Sequence, residues 1–183
     1  MVKVVCTYTL TEEQLGRIKS QLGDRAELVK VKDFDEAGDV LSEARVLLTN
    51  QLTIDQKDLE KMNNLEWIQC VFSGINHFPL GYLKDKGIIL TNARGVHRIQ
   101  MSEFIVSLLL SIVRRSYHYT KAHLNRKWDP IKIDELYGKT IGFIGVGAVA
   151  RETARKLRPF DVRILGVKNN VEPVEYFDEI YSG

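Results

Sequence analysis

The chain opens on a β-branched run, VKVVCTY at residues 2–8, and apolar runs of similar length recur at 26–31, 45–49, 67–72 and 88–91. Each is short and bounded by polar or turn residues, which is the signal of a strand rather than of a helix. Between them the pattern changes to helix signals. Thr11 with Gln14 makes a capping box for a helix ending at Leu22. A short helix is expected over 35–41, another over 55–62 with Asp55 as its N-cap, and a helical turn or two over 79–86. Strands that alternate with helices imply a parallel, doubly wound sheet.

A linker of mixed character at 92–100 then leads into a long helix expected from Met101 to Leu124, and Trp128-Asp129-Pro130 breaks the pattern after it. Within that helix FIVSLLLSIV, residues 104–113, is the most apolar window. Ten residues cannot span a bilayer that needs about 20, so it reads as a buried core helix. It is also apolar over more of its circumference than one sheet face needs, which points to a partner surface. Strands at 139–144 and 163–167, with a third near 179–181, open a second sheet. The expected division is therefore residues 1–98 and residues 99–183.

Residues 136–169, LYGKTIGFIGVGAVARETARKLRPFDVRILGVKN, carry the chemistry. A strand, a glycine turn, a helix and a second strand form one βαβ unit suited to a dinucleotide. Gly145 makes the tight turn, Gly147 lets backbone amides approach a pyrophosphate, and Ala150 takes the third small position where helix and strand pack closely. The amides that open the helix, at Ala148 and Val149, then face the phosphates, where the macrodipole favours anions.

Cofactor choice hangs on the slot about 20 residues past the glycine turn, where NAD-selective sites place Asp or Glu on the ribose hydroxyls. Here Lys168 fills it, followed by Asn169. Lysine accepts no hydrogen bond but pairs with a 2′-phosphate, so the slot leans to NADP over NAD.

Composition excludes several classes. Lys plus Arg total 26 against 24 for Asp plus Glu, a net charge of +2 without long runs of one sign. That is no footprint for nucleic acid or an anionic membrane. No secretory signal is visible at the N-terminus, so a cytoplasmic setting is the default. Cys6 and Cys70 both fall in strand-like runs and are expected to be buried, reduced thiols.

Four stretches resemble, in order and spacing, the D-isomer-specific 2-hydroxyacid dehydrogenases: QCVFSGINHF at 69–78, ILTNARGVH at 89–97, MSEFIVSLLLSIVRR at 101–115, and ELYGKTIGFIGVG at 135–147. The resemblance implies an α/β chain, a flavodoxin-like parallel sheet domain of the substrate-binding kind followed by a partial Rossmann nucleotide-binding domain. In that family the active site lies in the cleft between the two. It further implies hydride transfer between a small 2-hydroxy or 2-keto acid and NAD or NADP. Ser73, Gly74 and Ile75 resemble the loop whose amides hold the substrate carboxylate; an ordinary strand-to-helix turn using Gly74 is the plainer account. Asn76 stands where the family commonly has Asp, and Ala148 replaces a polar side chain common in the glycine turn. Met101 resembles the apolar residue set against the nicotinamide ring, although it equally suits a helix core. Trp128 resembles a Trp near the partner subunit of a homodimer, or packs on its own domain.

None of His77, His97, His118 and His123 follows the catalytic pattern of the family, whose base His, Glu and carboxylate-clamping Arg come later than Gly183. No catalytic residue is therefore assigned within this chain, and alone it is expected to be inactive. His77 and His97 flank the cleft that the resemblance implies, where ligand contact is one alternative, but read as solvated loop residues; His118 and His123 read as polar positions at a helix end. Two functions remain: an oxidoreductase of which this is an N-terminal piece, or a non-catalytic truncated product or dinucleotide-binding interaction protein of the same fold.

Overall fold

All eight expected strands form. In the first part of the chain they are β1 (Val2–Cys6), β2 (Ala26–Lys30), β3 (Val46–Thr49), β4 (Trp67–Cys70) and β5 (Ile89–Thr91). A computed structural model describes residues 1–50 and 54–183. They fall into two units, Met1–Arg94 and Gly95–Gly183. The division comes four residues before the expected one. The loop at 95–97 is bonded to the helix that follows, with the Arg98 amide on the Gly95 carbonyl at 3.2 Å and the Met101 amide on His97 at 3.0 Å.

The first unit is one parallel sheet in the order β2-β1-β3-β4-β5. Val5, Leu47 and Ile68, from its three central strands, are fully buried with Leu41, Ile54 and Leu59. Apolar area removed from water is the driving term here, roughly 25 cal/mol per Å². Helix α1 (Glu12–Leu22) starts on the expected capping box, with Thr11 Oγ1 accepting from the Gln14 amide and Gln14 Oε1 from the Thr11 amide. Helix α2 (Gln56–Glu60) is capped by Asp55, and α3 (Leu80–Lys86) follows the loop after β4. Cys6 and Cys70 are buried free thiols, as their strand positions imply. Loss of hydration raises the Cys6 thiol pKa.

One element differs. Over 35–41 only a 3₁₀ turn forms, Gly38–Leu41. Asp33 Oδ1 accepts the amides of Asp35 and Glu36 at 3.1 and 2.9 Å. A side chain that takes these donors offers the backbone an alternative to the first helical turn.

The second unit departs further. The single long helix is two: α4 (Arg98–Val113) and α5 (Ser116–Leu124), separated by Arg115 at a left-handed φ of 53°. In a continuous helix the Val113 carbonyl would accept from Tyr117. It accepts instead from the Asp134 amide of the returning chain, at 2.9 Å. Nor is α4 a buried core helix. Val106, Leu109, Leu110 and Val113 pack against the second core around Leu136, Leu157 and Ile164. Met101, Phe104, Leu108 and Ile112 form an exposed stripe on another face, and Ser102 is its only fully buried residue. The excess apolar circumference visible in the sequence is thus real, but it faces outward.

Strands β6 (Thr140–Ile144), β7 (Arg163–Val167) and β8 (Glu179–Tyr181) pair in parallel in that order, with α6 (Ala148–Leu157) crossing from β6 to β7. Among the described residues β6 is an edge, and Ile144 at its end is 97% exposed. No helix among them is long and apolar enough to cross a membrane.

Candidate functional site

The glycine turn joins β6 to α6. Gly145 has φ +89°, a conformation that side-chain-bearing residues rarely adopt, and its amide donates to the Val167 carbonyl at 2.9 Å. That bond ties the turn to the end of β7. Gly147 is the N-cap of α6 and no side chain caps the helix, so the amides of Ala148, Val149 and Ala150 are left for another acceptor. A Cβ built on Gly147 would meet no protein atom within 4 Å. The fold therefore does not need glycine there for its own packing. An open approach to uncapped amides on a positive helix end fits a pyrophosphate. Ala150 is buried, as its small third position requires.

Two supports of the turn are not visible in the sequence motif. A Cβ on Gly166, in β7, would lie 2.6 Å from Val146 Cγ2 and 2.9 Å from Ile180 Cδ1. Gly166 thus makes room for Val146, the residue between the two turn glycines. Asp178 Oδ2 accepts the Ile164 amide at 2.6 Å, and Arg158 Nη1 bonds the same carboxylate at 3.0 Å. The Ile164 hydrogen bond, with Arg158 assisting, holds the Asp178 carboxyl below the usual carboxylate range. An Asp before a strand has no distinctive sequence signature, whereas a glycine inside a β-branched run is a signal for close packing.

Lys168 is the first residue past β7, and its amide donates to the Tyr181 carbonyl at 3.0 Å. Its ammonium is not free: it bonds Glu172 Oε1 at 2.8 Å, with the lysine side chain 18% and the glutamate 54% exposed. The lysine hydrogen bond and charge lower the Glu172 pKa, with a further contribution from Arg151 on α6. Asn169 beside it is exposed. This cluster adjoins the glycine turn through the Gly145–Val167 bond.

The turn at Ser73, Gly74 and Ile75 lies past the carboxyl end of β4. Asn92 Nδ2 donates to the Ser73 carbonyl at 2.6 Å, Ser73 Oγ to the Ala93 carbonyl at 3.3 Å, and the Ala93 amide to Phe72 at 3.0 Å. Residues after β5 therefore clamp the turn. Ser73 and Gly74 are exposed, Ile75 anchors on the first core, and a Cβ on Gly74 would meet nothing within 4 Å. Among the described residues no carbonyl accepts the Gly74 or Ile75 amide. The geometry suits a small anion held on backbone donors.

Residues 4–156 match the D-isomer specific 2-hydroxyacid dehydrogenase catalytic domain. The chain belongs to that family. It is 28% identical over 169 residues to D-3-phosphoglycerate dehydrogenase of Methanocaldococcus jannaschii, covering 91% of this chain and 32% of that protein. With glyoxylate reductase of Thermofilum pendens it shares 34% identity over 125 residues, 65% of this chain and 36% of that one. It thus spans about a third of the length of these relatives. A D-isomer specific 2-hydroxyacid dehydrogenase family protein from Aeromonas salmonicida has the same fold, with a TM-score of 0.79 and 23% identity over 99% of this chain and 58% of that one. NAD-dependent formate dehydrogenase from Staphylococcus aureus, solved with NAD, gives 0.74 at 21% identity over 100% and 60%. An acyclic imino acid reductase solved with NADPH and D-Arg gives 0.78 at 19% over 98% and 60%. Members of this dehydrogenase family and fold therefore use NAD(H) or NADPH.

The remaining residues of this chain divide clearly. Met101, in the first turn of α4, is 44% exposed, so it is not core. Trp128 is 92% exposed and does not pack on its own unit. His77 is not a solvated loop residue: its ring lies 4.7 Å from Phe78 and its Nε2 is buried with no hydrogen-bond partner among the described residues. His97 stands at the N-cap position of α4 without a capping bond from its side chain, and its ring bonds the Gln100 side chain at 2.6 Å. Because the long helix breaks, His118 lies in the first turn of α5, at the N-terminal rather than the C-terminal end of a helix, and Asp129 holds it through the backbone carbonyl at 2.9 Å. His123 does lie in the last turn of α5. Among the described residues no group of three His, Cys, Asp or Glu could hold a metal.

Proposed function

We propose that this chain supplies the dinucleotide turn and the carboxylate-binding turn of an NAD(P)-dependent oxidoreductase that interconverts a small 2-hydroxy acid and its 2-keto acid. The uncapped N-terminus of α6 behind an open Gly147 is the observation that carries it. When bound, NAD(P) supplies the hydride donor or acceptor. The first unit is the substrate-binding domain, where the amides of Ser73, Gly74 and Ile75 hold the acid's carboxylate and orient its C2 carbon. The second is the nucleotide-binding domain. There Gly145 shapes the turn while its own amide stays on Val167; Gly147, Ala148 and Val149 present amides to the pyrophosphate, Met101 gives an apolar wall that keeps water from the nicotinamide, and Lys168 and Asn169 receive the adenosine ribose. The lean is to NADP, through Lys168.

No residue of this chain is assigned as the acid or base, and proton transfer by a positioned group is typically worth about 10² to 10⁴ in rate. The full-length protein should therefore reduce glyoxylate, hydroxypyruvate or pyruvate with NADPH or NADH, and the 183-residue chain should not. Turnover by the isolated chain, shown by mass to be free of longer product, would overturn the assignment of roles. Failure of the chain to bind either dinucleotide in a fluorescence titration would overturn the cofactor reading.

The exposed stripe Met101, Phe104, Leu108 and Ile112 supports a second copy of the protein as partner. A groove of about 470 Å³ at its end, lined by Leu108, Ile112, Tyr117 and Ile131 together with the polar Ser111, Arg115 and His118, offers a seat for side chains of that copy. Contiguous apolar surface of this kind marks an interface. A monomeric mass for the full-length protein across micromolar concentrations would rule it out.

A further inference from the structure

We propose that Glu172 is a specificity-determining residue that competes with the adenosine 2′-phosphate for Lys168. The inference rests on the reading of 145–147 as a dinucleotide turn and goes beyond it, because Lys168 alone would make the slot a bare cation.

The slot is instead an ion pair. Lys168 Nζ and Glu172 Oε1 are 2.8 Å apart, joined by a loop of three residues, Asn169, Asn170 and Val171. The two partners differ in exposure: the lysine stem is covered, at 18%, while the glutamate side chain is 54% open to solvent. Backbone bonds fix the lysine's place beside the turn, from the Gly145 amide to Val167 and from the Lys168 amide to Tyr181. Among the described residues Glu172 bears no comparable backbone anchor, and it is the partner that can leave. An exposed ion pair of this kind is weak and screened by salt, so its displacement is inexpensive.

Two consequences follow. A cofactor with a free 2′-hydroxyl meets a neutralised pair rather than an unpaired cation. A cofactor with a 2′-phosphate must take the ammonium from Glu172 and, if the carboxylate stays close, suffers repulsion between like charges. Arg151 on α6 adds a smaller positive potential at Glu172. Glu172 thus tempers the NADP preference that Lys168 creates.

The test uses two adenine nucleotides that differ only by the 2′-phosphate, 2′,5′-ADP and 5′-AMP, titrated calorimetrically into the chain and its variants. In E172Q the affinity ratio of 2′,5′-ADP to 5′-AMP should rise about 3- to 10-fold, with 5′-AMP binding unchanged. K168M should lower the ratio, and in the K168M background E172Q should give a smaller gain, from relieved repulsion alone; an equal gain in both backgrounds would overturn the competition for Lys168. An unchanged ratio with normal 5′-AMP binding overturns the role of Glu172 alone. Weaker 5′-AMP binding in E172Q overturns it too, because Glu172 would then be an acceptor for the ribose hydroxyls. If neither nucleotide binds the unaltered chain, the dinucleotide reading fails and the competition fails with it.

Discussion

The turns at 73–75 and 145–147 look alike in sequence: each puts glycine just past the carboxyl end of a parallel strand. Their glycines answer to different demands. In the second unit Gly145 adopts φ +89° and Gly166 gives way to Val146, so backbone conformation and packing require them. Gly74 and Gly147 have no positive φ, and a Cβ on either would touch no protein atom. The fold would accept a side chain at both. Where glycine is free of the fold's demands, approach by something else is the physical reason left for it. The first turn is further held by side chains, from Asn92 and Ser73, and the second by a backbone bond from Gly145 to Val167 of β7.

That contrast is sharpened most by Gly166→Val. Overpacking against Val146 and Ile180 should destabilise the second unit by about 3 kcal/mol. Hydrogen exchange should accelerate in β6, β7 and β8 while β1 to β5 keep their protection. Protection retained in both units would show that Val146 repacks without cost.

Asp178→Ala should come next, at about 1 to 2 kcal/mol, reduced from the value for a buried pair because the carboxylate is a third exposed. The sign with pH is fixed by its lowered pKa. Asp178 contributes stability above the ordinary carboxylate pKa of about 4, lost as pH falls through its folded value. Melting of the alanine variant should consequently converge on that of the unaltered chain in acid. A gap that persisted unchanged at low pH would assign the loss to packing instead.

Gly145→Ala should cost about 1 to 2 kcal/mol through the left-handed backbone. Asn169 and Lys168 should keep their amide environment if the turn merely strains, which heteronuclear NMR would read.

The smallest stability changes belong to Gly74→Val and Gly147→Ala, each within about 0.5 kcal/mol because their Cβ positions are open. Their effect should appear in ligands. Gly147→Ala should weaken dinucleotide binding, and Gly74→Val should raise the KM for the keto acid in the full-length protein. If either variant melted early, the distinction between fold-required and fold-free glycines would break. Normal kinetics for Gly74→Val would move the carboxylate elsewhere.

Signals that act within a few residues were legible in the chain. The β-branched runs became β1 to β5 almost residue for residue, Thr11 and Gln14 closed their capping box, and GVGAVA placed a glycine turn before a helix. These follow from side-chain alternation, capping donors and the φ that only glycine takes freely, and none needs a distant partner. What only the tertiary structure decided depends on residues brought together from afar. Asp134 took the Val113 carbonyl and split one helix into two; α4 turned Phe104, Leu108 and Ile112 outward; and Asp178 reached the Ile164 amide. Lys168 and Glu172 are only four residues apart, but whether they meet was decided by how the loop after β7 folds, which residue type alone does not announce. A residue's type and its place on a strand are local facts, but its free charge depends on which group the fold sets within 3 Å of it.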